Sequence, residues 1–411
     1  MRPSKIVNSL MRRPDYGHIT PRLRADQARM ITLSDTQERA IDQITAWYRA
    51  GPPCRDFYLA GYAGSGKSTL TDEAIRRLRA DGCGRVVTGA YTGKAAYVLR
   101  NKGNDNAKTI HSMIYSPVED EATGEVTFQL DPDGDAANAD MIVLDECSMI
   151  NEEMAADIRS FGRPILVLGD PGQLPPVRGA GAFTNRDPDV FLAEIHRQAA
   201  GSPIIQLATM ARQGQPIPVG EYGPGVRVVP YDAAAGQYVY DPETQVICGL
   251  NRVRWNLTQK MRARVGLDGR YPVRGEPIMC CRNNKQMGIF NGQQGTLDRF
   301  DADQDRTRDG AMLGLISATL DGGVTIRSED CAQYLFDKHF TGPSRAPRLP
   351  KGTLEFDWGY VLTCHKAQGS QWPRITIIDD SASFPEDARK WLYTAITRAE
   401  VELTLISRNR A

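Results

Sequence analysis

At 411 residues the chain exceeds the ~250–300 residues at which a single hydrophobic core stops growing, so two or more domains are expected. Hydrophobic residues make up 41% and charged residues 24%, an ordinary globular balance. No apolar run approaches the ~20 residues of a membrane span, which argues against a helical membrane protein. Fifty Lys plus Arg offset fifty Asp plus Glu, so a polyanionic partner would need a local groove, because screening cuts the reach of charge to about 8 Å at physiological salt.

The first thirty residues carry Arg2, Lys5, Arg12, Arg13, Arg22, Arg24 and Arg29 against Asp15 and Asp26. Pro3, Pro14 and Pro21 interrupt any long amphipathic helix, so residues 1–31 read first as a basic tail, with a targeting peptide or a DNA-touching arm as the alternatives. From Leu33 onward, short apolar runs alternate with helical stretches, the pattern of a parallel sheet. Candidate strands are Phe57 to Ala60, Val86 to Thr88, Met141 to Leu144 and Ile165 to Leu168. All are continuous apolar runs, as expected when helices cover both faces of a sheet. They define a first α/β lobe over residues 32–115 and 141–196.

Residues 116–140 interrupt that lobe with eight acidic side chains and no Lys or Arg. Within them Val126 to Leu130 alternates like a half-exposed strand and Asp131-Pro-Asp-Gly134 reads as a turn, which predicts a small projecting hairpin. A second series of runs, Gln245 to Leu250, Tyr360 to Thr363, Ile375 to Ile378 and Leu403 to Ile406, predicts a second lobe over residues 197–269 and 351–411. Residues 270–350 differ in texture, with short runs such as Pro277 to Cys281 and turns at Asn291-Gly292 and Asp321-Gly322-Gly323, and read as a β-rich insertion. The eight cysteines form no CxxC pair, which suits reduced thiols in a cytoplasmic protein. Cys280 and Cys281 would face opposite ways on a strand and do not suit a zinc site.

Gly61-Tyr-Ala-Gly64-Ser65-Gly66-Lys67-Ser68-Thr69 follows the first strand and opens a helical pattern. In that context it is a P-loop, whose glycines let backbone amides converge on phosphate oxygens at a helix N-terminus. Lys67 is expected to reach the β and γ phosphates of ATP, and the Ser68 hydroxyl to bind Mg²⁺. Asp145-Glu146 ends a buried strand, where α/β sheets place ligands; Asp145 would hold the Mg²⁺ shell and Glu146 would polarise the attacking water. Gln173, in Gly169-Asp170-Pro-Gly-Gln173-Leu174-Pro-Pro, can sense the γ phosphate by hydrogen bonding, in the way a water-orienting Gln works in other NTPases.

With these motifs in order, the chain resembles superfamily 1 helicases of the RecD/Dda type, which move 5′ to 3′, over nearly everything from Leu33 to the C-terminus. Leu33-Ser-Asp-Thr-Gln37 looks like the family's Q motif, whose Gln reads adenine. Thr92-Gly-Lys94 and Thr109-Ile-His111 look like its DNA-contacting motifs in the first lobe. His196-Arg197-Gln198 and Tyr393-Thr-Ala-Ile-Thr397-Arg398 are similar to motifs whose arginines reach the γ phosphate across the lobes. Leu362-Thr363-Cys-His365-Lys366-Ala-Gln368-Gly369-Ser-Gln371 resembles the motif linking DNA backbone contacts at Thr363 and His365 to the nucleotide cleft at Gly369 and Gln371. Many relatives have Glu where this chain has Gln371. Asn291-Gly292-Gln-Gln-Gly295 resembles part of an SH3-like insertion.

The resemblance implies two RecA-like parallel-sheet lobes, a hairpin pin in the first, an SH3-like β insertion in the second, and ATP with Mg²⁺ between them. It implies a monomeric, DNA-stimulated ATPase on single-stranded DNA and its junctions with duplex, in a bacterial or phage-infected cytoplasm. Polar grips suit sequence-independent backbone contact, and base stacking would add to it. Tyr91, Tyr97, Phe183 and Trp372 are the candidate platforms, and the sequence does not choose among them. A translocase that remodels proteins without unwinding, a nucleotide-gated DNA-binding module and a 3′ to 5′ helicase of the UvrD type stay open as alternatives.

Overall fold

Continuous apolar runs build the first sheet. In the computed structural model, which describes residues 33–51, 56–119, 126–176, 181–193, 201–232, 243–284, 287–308 and 311–408, α1 (Asp35–Arg49) precedes β1 (Asp56–Gly61), and a glycine-rich loop leads into α2 (Lys67–Ala80). Then come β2 (Val86–Ala90), α3 (Gly93–Asn101), β3 (Lys108–Thr109), α4 (Ile110–Ile114) and the pair β4 (Tyr115–Glu119) and β5 (Val126–Leu130). The lobe closes with β6 (Met141–Asp145), α5 (Glu152–Ser160), β7 (Ile165–Gly169) and β8 (Val190–Leu192). Its sheet runs β3-β2-β6-β7-β1-β8 with every described pairing parallel. The basic tail and His196-Arg197-Gln198 lie outside the described residues.

Helix α1 shows how local sequence sets this packing. Ser34 caps it, and Ala40, Ile41, Ile44 and Trp47 recur every three or four residues, so one stripe is apolar. That stripe meets Leu70, Ala74 and Leu78 of α2 over Leu59 and Leu168 of the sheet. Each such side chain, taken fully out of water, contributes about 1.5–3 kcal/mol. Strands β4 and β5 pair antiparallel from Tyr115 opposite Leu130 to Glu119 opposite Val126, and the turn Asp131 to Gly134 follows. Phe128 on that hairpin is 50% exposed.

The second lobe begins with α6 (Pro203–Gln213), β9 (Gly220–Gly223), β10 (Val226–Pro230), β11 (Gln245–Cys248) and α7 (Asn251–Arg264). An antiparallel unit interrupts it: β12 (Pro277–Cys280), β13 (Gln294–Arg308), β14 (Ala311–Leu320), β15 (Thr325–Ala332), α8 (Tyr334–Thr341) and β16 (Phe356–Trp358). The lobe resumes with β17 (Val361–Thr363), α9 (Cys364–Ala367), β18 (Trp372–Ile378), α10 (Ala388–Ile396) and β19 (Ala399–Ser407). Its sheet order is β17-β11-β18-β19-β10-β9, parallel except where β9 joins β10. The inserted sheet runs β15-β14-β13-β12-β16, antiparallel throughout.

Buried charge fixes the inserted sheet to the lobe. Arg254 of α7 donates to Asp357 of β16 at 2.7 Å, and the other Asp357 oxygen meets His339 Nε2 of α8 at 2.7 Å. Arg262 of α7 donates to Glu276 at 2.6 Å while its guanidinium lies 4.4 Å from the Trp358 ring centre. Among the described residues no helix is long and apolar enough to cross a membrane.

Candidate functional site

The loop between β1 and α2 turns on Gly64 and Gly66, both with φ of 80°, a left-handed conformation that a Cβ would strain. This turn brings Gly64, Ser65, Gly66, Lys67, Ser68 and Thr69 to the wall of a cleft of about 450 Å³ between the lobes. Asp145, Glu146 and Gln173, from the ends of β6 and β7, line the same cleft, and so do Gly369, Gln371 and Arg398 of the second lobe. Its size falls within the ~300–1,000 Å³ of ordinary ligand pockets.

Two of the cations lining the cleft, Lys67 and Arg398, are held by neutral oxygens. Lys67 Nζ donates to the carbonyls of Gly61 at 2.6 Å and Tyr62 at 3.2 Å. Arg398 is 4% exposed, and its guanidinium donates to Thr394 O, Ser370 O and Thr397 Oγ1 at 3.1–3.4 Å. An anionic acceptor would form shorter and stronger bonds with either. Three buried polar atoms of the cleft lining lack a hydrogen-bond partner, Ser65 Oγ, Ser148 Oγ and Gln173 Oε1. A polar ligand in the cleft would supply the partner that each of these lacks.

Glu146 has φ 56° and ψ 42°, one of two non-glycine residues with positive φ among those described. That conformation costs on the order of 1–3 kcal/mol and turns the chain so that adjacent carboxylates face one cleft. Burial pushes the Asp145 carboxyl up to about 6 and the charge of Glu146 adds to the shift; the Glu146 amide, donating to Asp145 Oδ1 at 2.8 Å, opposes it, as do Lys67 and Lys102. A carboxyl so placed beside Ser68 suits Mg²⁺, a hard cation that takes oxygen ligands and would keep Asp145 ionised.

The lobes are also tied directly. The Tyr393 phenol of α10 accepts from the Ala63 amide of the P-loop at 2.8 Å and donates to Asp170 Oδ2 at 2.6 Å. Leu174 N donates to Thr394 Oγ1 at 2.9 Å, and Gln368 Nε2 donates to Leu174 O at 3.2 Å. Arg212 of α6 stacks 3.5 Å from the centre of the Tyr62 ring. Tyr393, Asp170 and Arg212 were not singled out by sequence reasoning, since nothing local distinguishes a seam tyrosine from a core one.

Four expectations change. Gln37 does not line the cleft; Ser34 N donates to its Oε1 at 3.1 Å while Gln37 N donates to Ser34 Oγ, a capping box legible in Ser34-x-x-Gln37. Gly61 is not in the lining either, because its carbonyl turns to the Lys67 ammonium. Lys94, expected at DNA, lines the cleft, with Nζ 4.5 Å from the Trp372 ring centre. Phe183 is fully buried in the first-lobe core and cannot stack on a base. Arg197 lies outside the described residues.

The remaining residues expected at DNA lie at two sheet edges. Thr92, Thr109 and Thr363 each accept from an amide of the helix they open, α3, α4 and α9, at 3.1–3.4 Å. His111 packs between Tyr115 at 4.7 Å and Phe128 at 4.5 Å, at the root of the hairpin. His365 lies 6.0 Å from the Phe384 ring, and burial lowers its pKa. Strand β3, paired to β2, is one edge of the first sheet and β17 one edge of the second.

The family described as AAA domain matches residues 32–224, and the UvrD-like helicase C-terminal domain matches residues 359–406. The chain is 27% identical over 395 residues to the ATP-dependent RecD2 DNA helicase of Deinococcus radiodurans, covering 89% of this chain and 48% of that protein. It is 32% identical over 167 residues to the ATP-dependent DNA helicase dda of Enterobacteria phage T4, covering 38% of this chain and 37% of that one. It therefore spans about half, or less, of the length of these curated relatives. The crystal structure of Bacteroides Pif1 bound to ssDNA superposes with a TM-score of 0.56 at 16% identity, over 92% of this chain and 93% of that one. Two RecA-like lobes meeting at a P-loop cleft, taken with these relatives, make the chain similar to the superfamily 1B helicases of the RecD, Pif1 and Dda type.

Proposed function

We propose that the protein is an ATP-dependent DNA helicase that moves 5′ to 3′ along single-stranded DNA and separates duplex ahead of it. One observation carries the reading: Lys67, Asp145, Glu146 and Gln173 of one lobe share a cleft with Arg398 of the other. Nucleotide phosphates held at the P-loop would draw Lys67 and Arg398 from their carbonyl partners, so ATP favours the closed pair of lobes and its loss lets them part. Differential affinity of this kind is what lets a ligand move a domain.

Ser68 and Asp145 would hold Mg²⁺, which neutralises phosphate charge when bound. Glu146 orients and deprotonates the attacking water, Gln173 positions it, and Arg398 stabilises charge on the transferred group. Thr92, Thr109 and His111 on one sheet edge and Thr363 and His365 on the other form the alternating grips. Such contacts to sugar and phosphate read no sequence. The acidic hairpin with its exposed Phe128 suits a steric wedge better than a phosphate-binding surface.

A forked duplex tests this. With a 5′ single-stranded tail the wild type is expected to unwind in the presence of ATP and Mg²⁺. The Glu146→Gln variant retains nucleotide and DNA binding and loses about 10²–10⁴-fold in hydrolysis. DNA-stimulated hydrolysis without strand separation would instead identify a translocase, and unwinding from a 3′ tail alone would reverse the polarity.

A further inference from the structure

Lys94 connects the nucleotide cleft to the inserted sheet. It lies on the first turn of α3, the helix that also lends Ala95, Val98 and Lys102 to the cleft wall. Its ammonium stands 4.5 Å from the Trp372 ring centre and 3.4 Å from Gln294 Oε1. Gln294 is 1% exposed at the start of β13; its Oε1 also accepts the Trp372 indole N–H at 3.0 Å, and its Nε2 donates to Gln245 Oε1 of β11 at 2.8 Å. One side chain from the first lobe thus meets residues from both the second lobe and its insertion.

The same helix carries the docking of the inserted sheet. A Cβ at Gly93 would lie 2.3 Å from Phe290 Cβ, so Phe290 rests directly on the first turn of α3. Arg100, at the far end of that helix, sits 5.6 Å from the Phe290 ring centre. Any change in where the Lys94 ammonium resides is therefore made within one turn of the contact between first lobe and insertion.

We propose that Lys94 is a nucleotide-responsive positioning residue, its ammonium shared between an anionic phosphate in the cleft and the Gln294–Trp372 pair, so that nucleotide occupancy is transmitted to the inserted sheet. A lysine ammonium has three donors on a flexible four-carbon stem and can exchange acceptors without backbone movement. A charged phosphate oxygen outcompetes a neutral carboxamide oxygen, which sets the direction of the exchange. Trp372 is left with its Gln294 bond and without the cation over its ring. This inference rests on the proposed use of the cleft for ATP.

The indole itself is the reporter. A non-hydrolysable ATP analogue with Mg²⁺ is titrated into the wild type, Trp372→Phe, Lys94→Met and Lys94→Arg, with tryptophan emission and analogue binding, by displacement of a fluorescent nucleotide, read in parallel. The wild type shows an emission change that Trp372→Phe lacks; Lys94→Met binds the analogue but loses the change, and Lys94→Arg retains it. Affinity for an oligothymidine single strand shifts about fivefold or more with the analogue in the wild type and less than about twofold in Lys94→Met, typical couplings being roughly 5- to 150-fold. Gln294→Met interrupts the chain with Lys94 intact and loses the affinity shift likewise. Analogue binding without a Trp372-dependent change, or an undiminished change in Lys94→Met, overturns this inference alone. Failure of the wild type to bind the analogue overturns the ATP reading and this inference together.

Discussion

The cleft between the lobes and the joint between the second lobe and its insertion are both buried and polar, yet they are finished differently. At the joint, Asp357 has Arg254 on one oxygen and His339 on the other, and Glu276 holds Arg262. At the cleft, Lys67 and Arg398 rest on neutral oxygens and Glu146 sits in a left-handed conformation, whereas neutral polar atoms without a partner occur in both regions, Ser65 Oγ and Gln173 Oε1 at the cleft and His339 Nδ1 and Trp358 Nε1 at the joint. Paired buried charge suits a joint that stays shut. Cations resting on neutral oxygens suit a surface that awaits a ligand, because a bound anion supplies the charge that the resting state lacks.

The contrast can be broken most severely at the joint. Removing one partner of a buried ion pair leaves an uncompensated charge and typically costs about 3–5 kcal/mol. Arg254→Met is therefore expected to lower the denaturant midpoint sharply, and an unchanged midpoint would show that the Arg254–Asp357 pair does not hold the insertion. At the seam, Tyr393→Phe strips the Ala63 amide and Asp170 of their shared hydroxyl. With about 1–1.5 kcal/mol for each bond, hydrolysis should fall roughly 30- to 150-fold with less change in thermal midpoint. A variant hydrolysing at the wild-type rate would remove Tyr393 from the coupling between lobes.

Acid should loosen the joint gradually. Burial raises the Asp357 carboxyl, but the charge of Arg254, and then His339, outweigh it and hold it well below the usual carboxylate range. Its stabilisation is present above the unfolded pKa of about 3.9 and is lost as pH falls through the lower folded value. Burial lowers the His339 pKa, with the charges of Arg254 and Arg262 acting the same way against Asp357. The unfolded imidazole takes its proton near pH 6.5, so stability begins to decline below that point. Thermal midpoints from pH 8 to 5 should fall, and His339→Gln should flatten the decline. The smallest effect belongs to Ser65→Ala: with no folded-state partner for Oγ, stability should stay within about 0.5 kcal/mol, while KM for ATP rises if the hydroxyl serves the nucleotide.

Much of this architecture is legible in the sequence, because continuous apolar runs as short as Met141 to Leu144 and Ile165 to Leu168, bounded by polar or turn residues, suit buried strands better than helices. The P-loop is legible too, since Gly64 and Gly66 are needed for positive φ. Strands β8 and β9 escape notice; one has three residues and the other is flanked by glycines, too little for periodicity to register. Side-chain direction is the larger gap. Lys94 belongs to a motif resembling DNA contacts, yet a helix places positions 94, 98 and 102 on one face, and the structure turns that face to the cleft. Gln37 shows the reverse, a residue read for its family role whose carboxamide closes a capping box.

The account depends on Arg398 of one lobe serving a nucleotide held by Lys67 of the other. Single-turnover ATP hydrolysis by Arg398→Ala, with saturating single-stranded DNA and Mg²⁺, tests this most directly. Retained nucleotide binding with a rate lowered about 10³- to 10⁵-fold, the range for arginines that stabilise phosphoryl transfer, is the predicted result. Hydrolysis within about threefold of the wild-type rate, less than 1 kcal/mol in barrier, would contradict it.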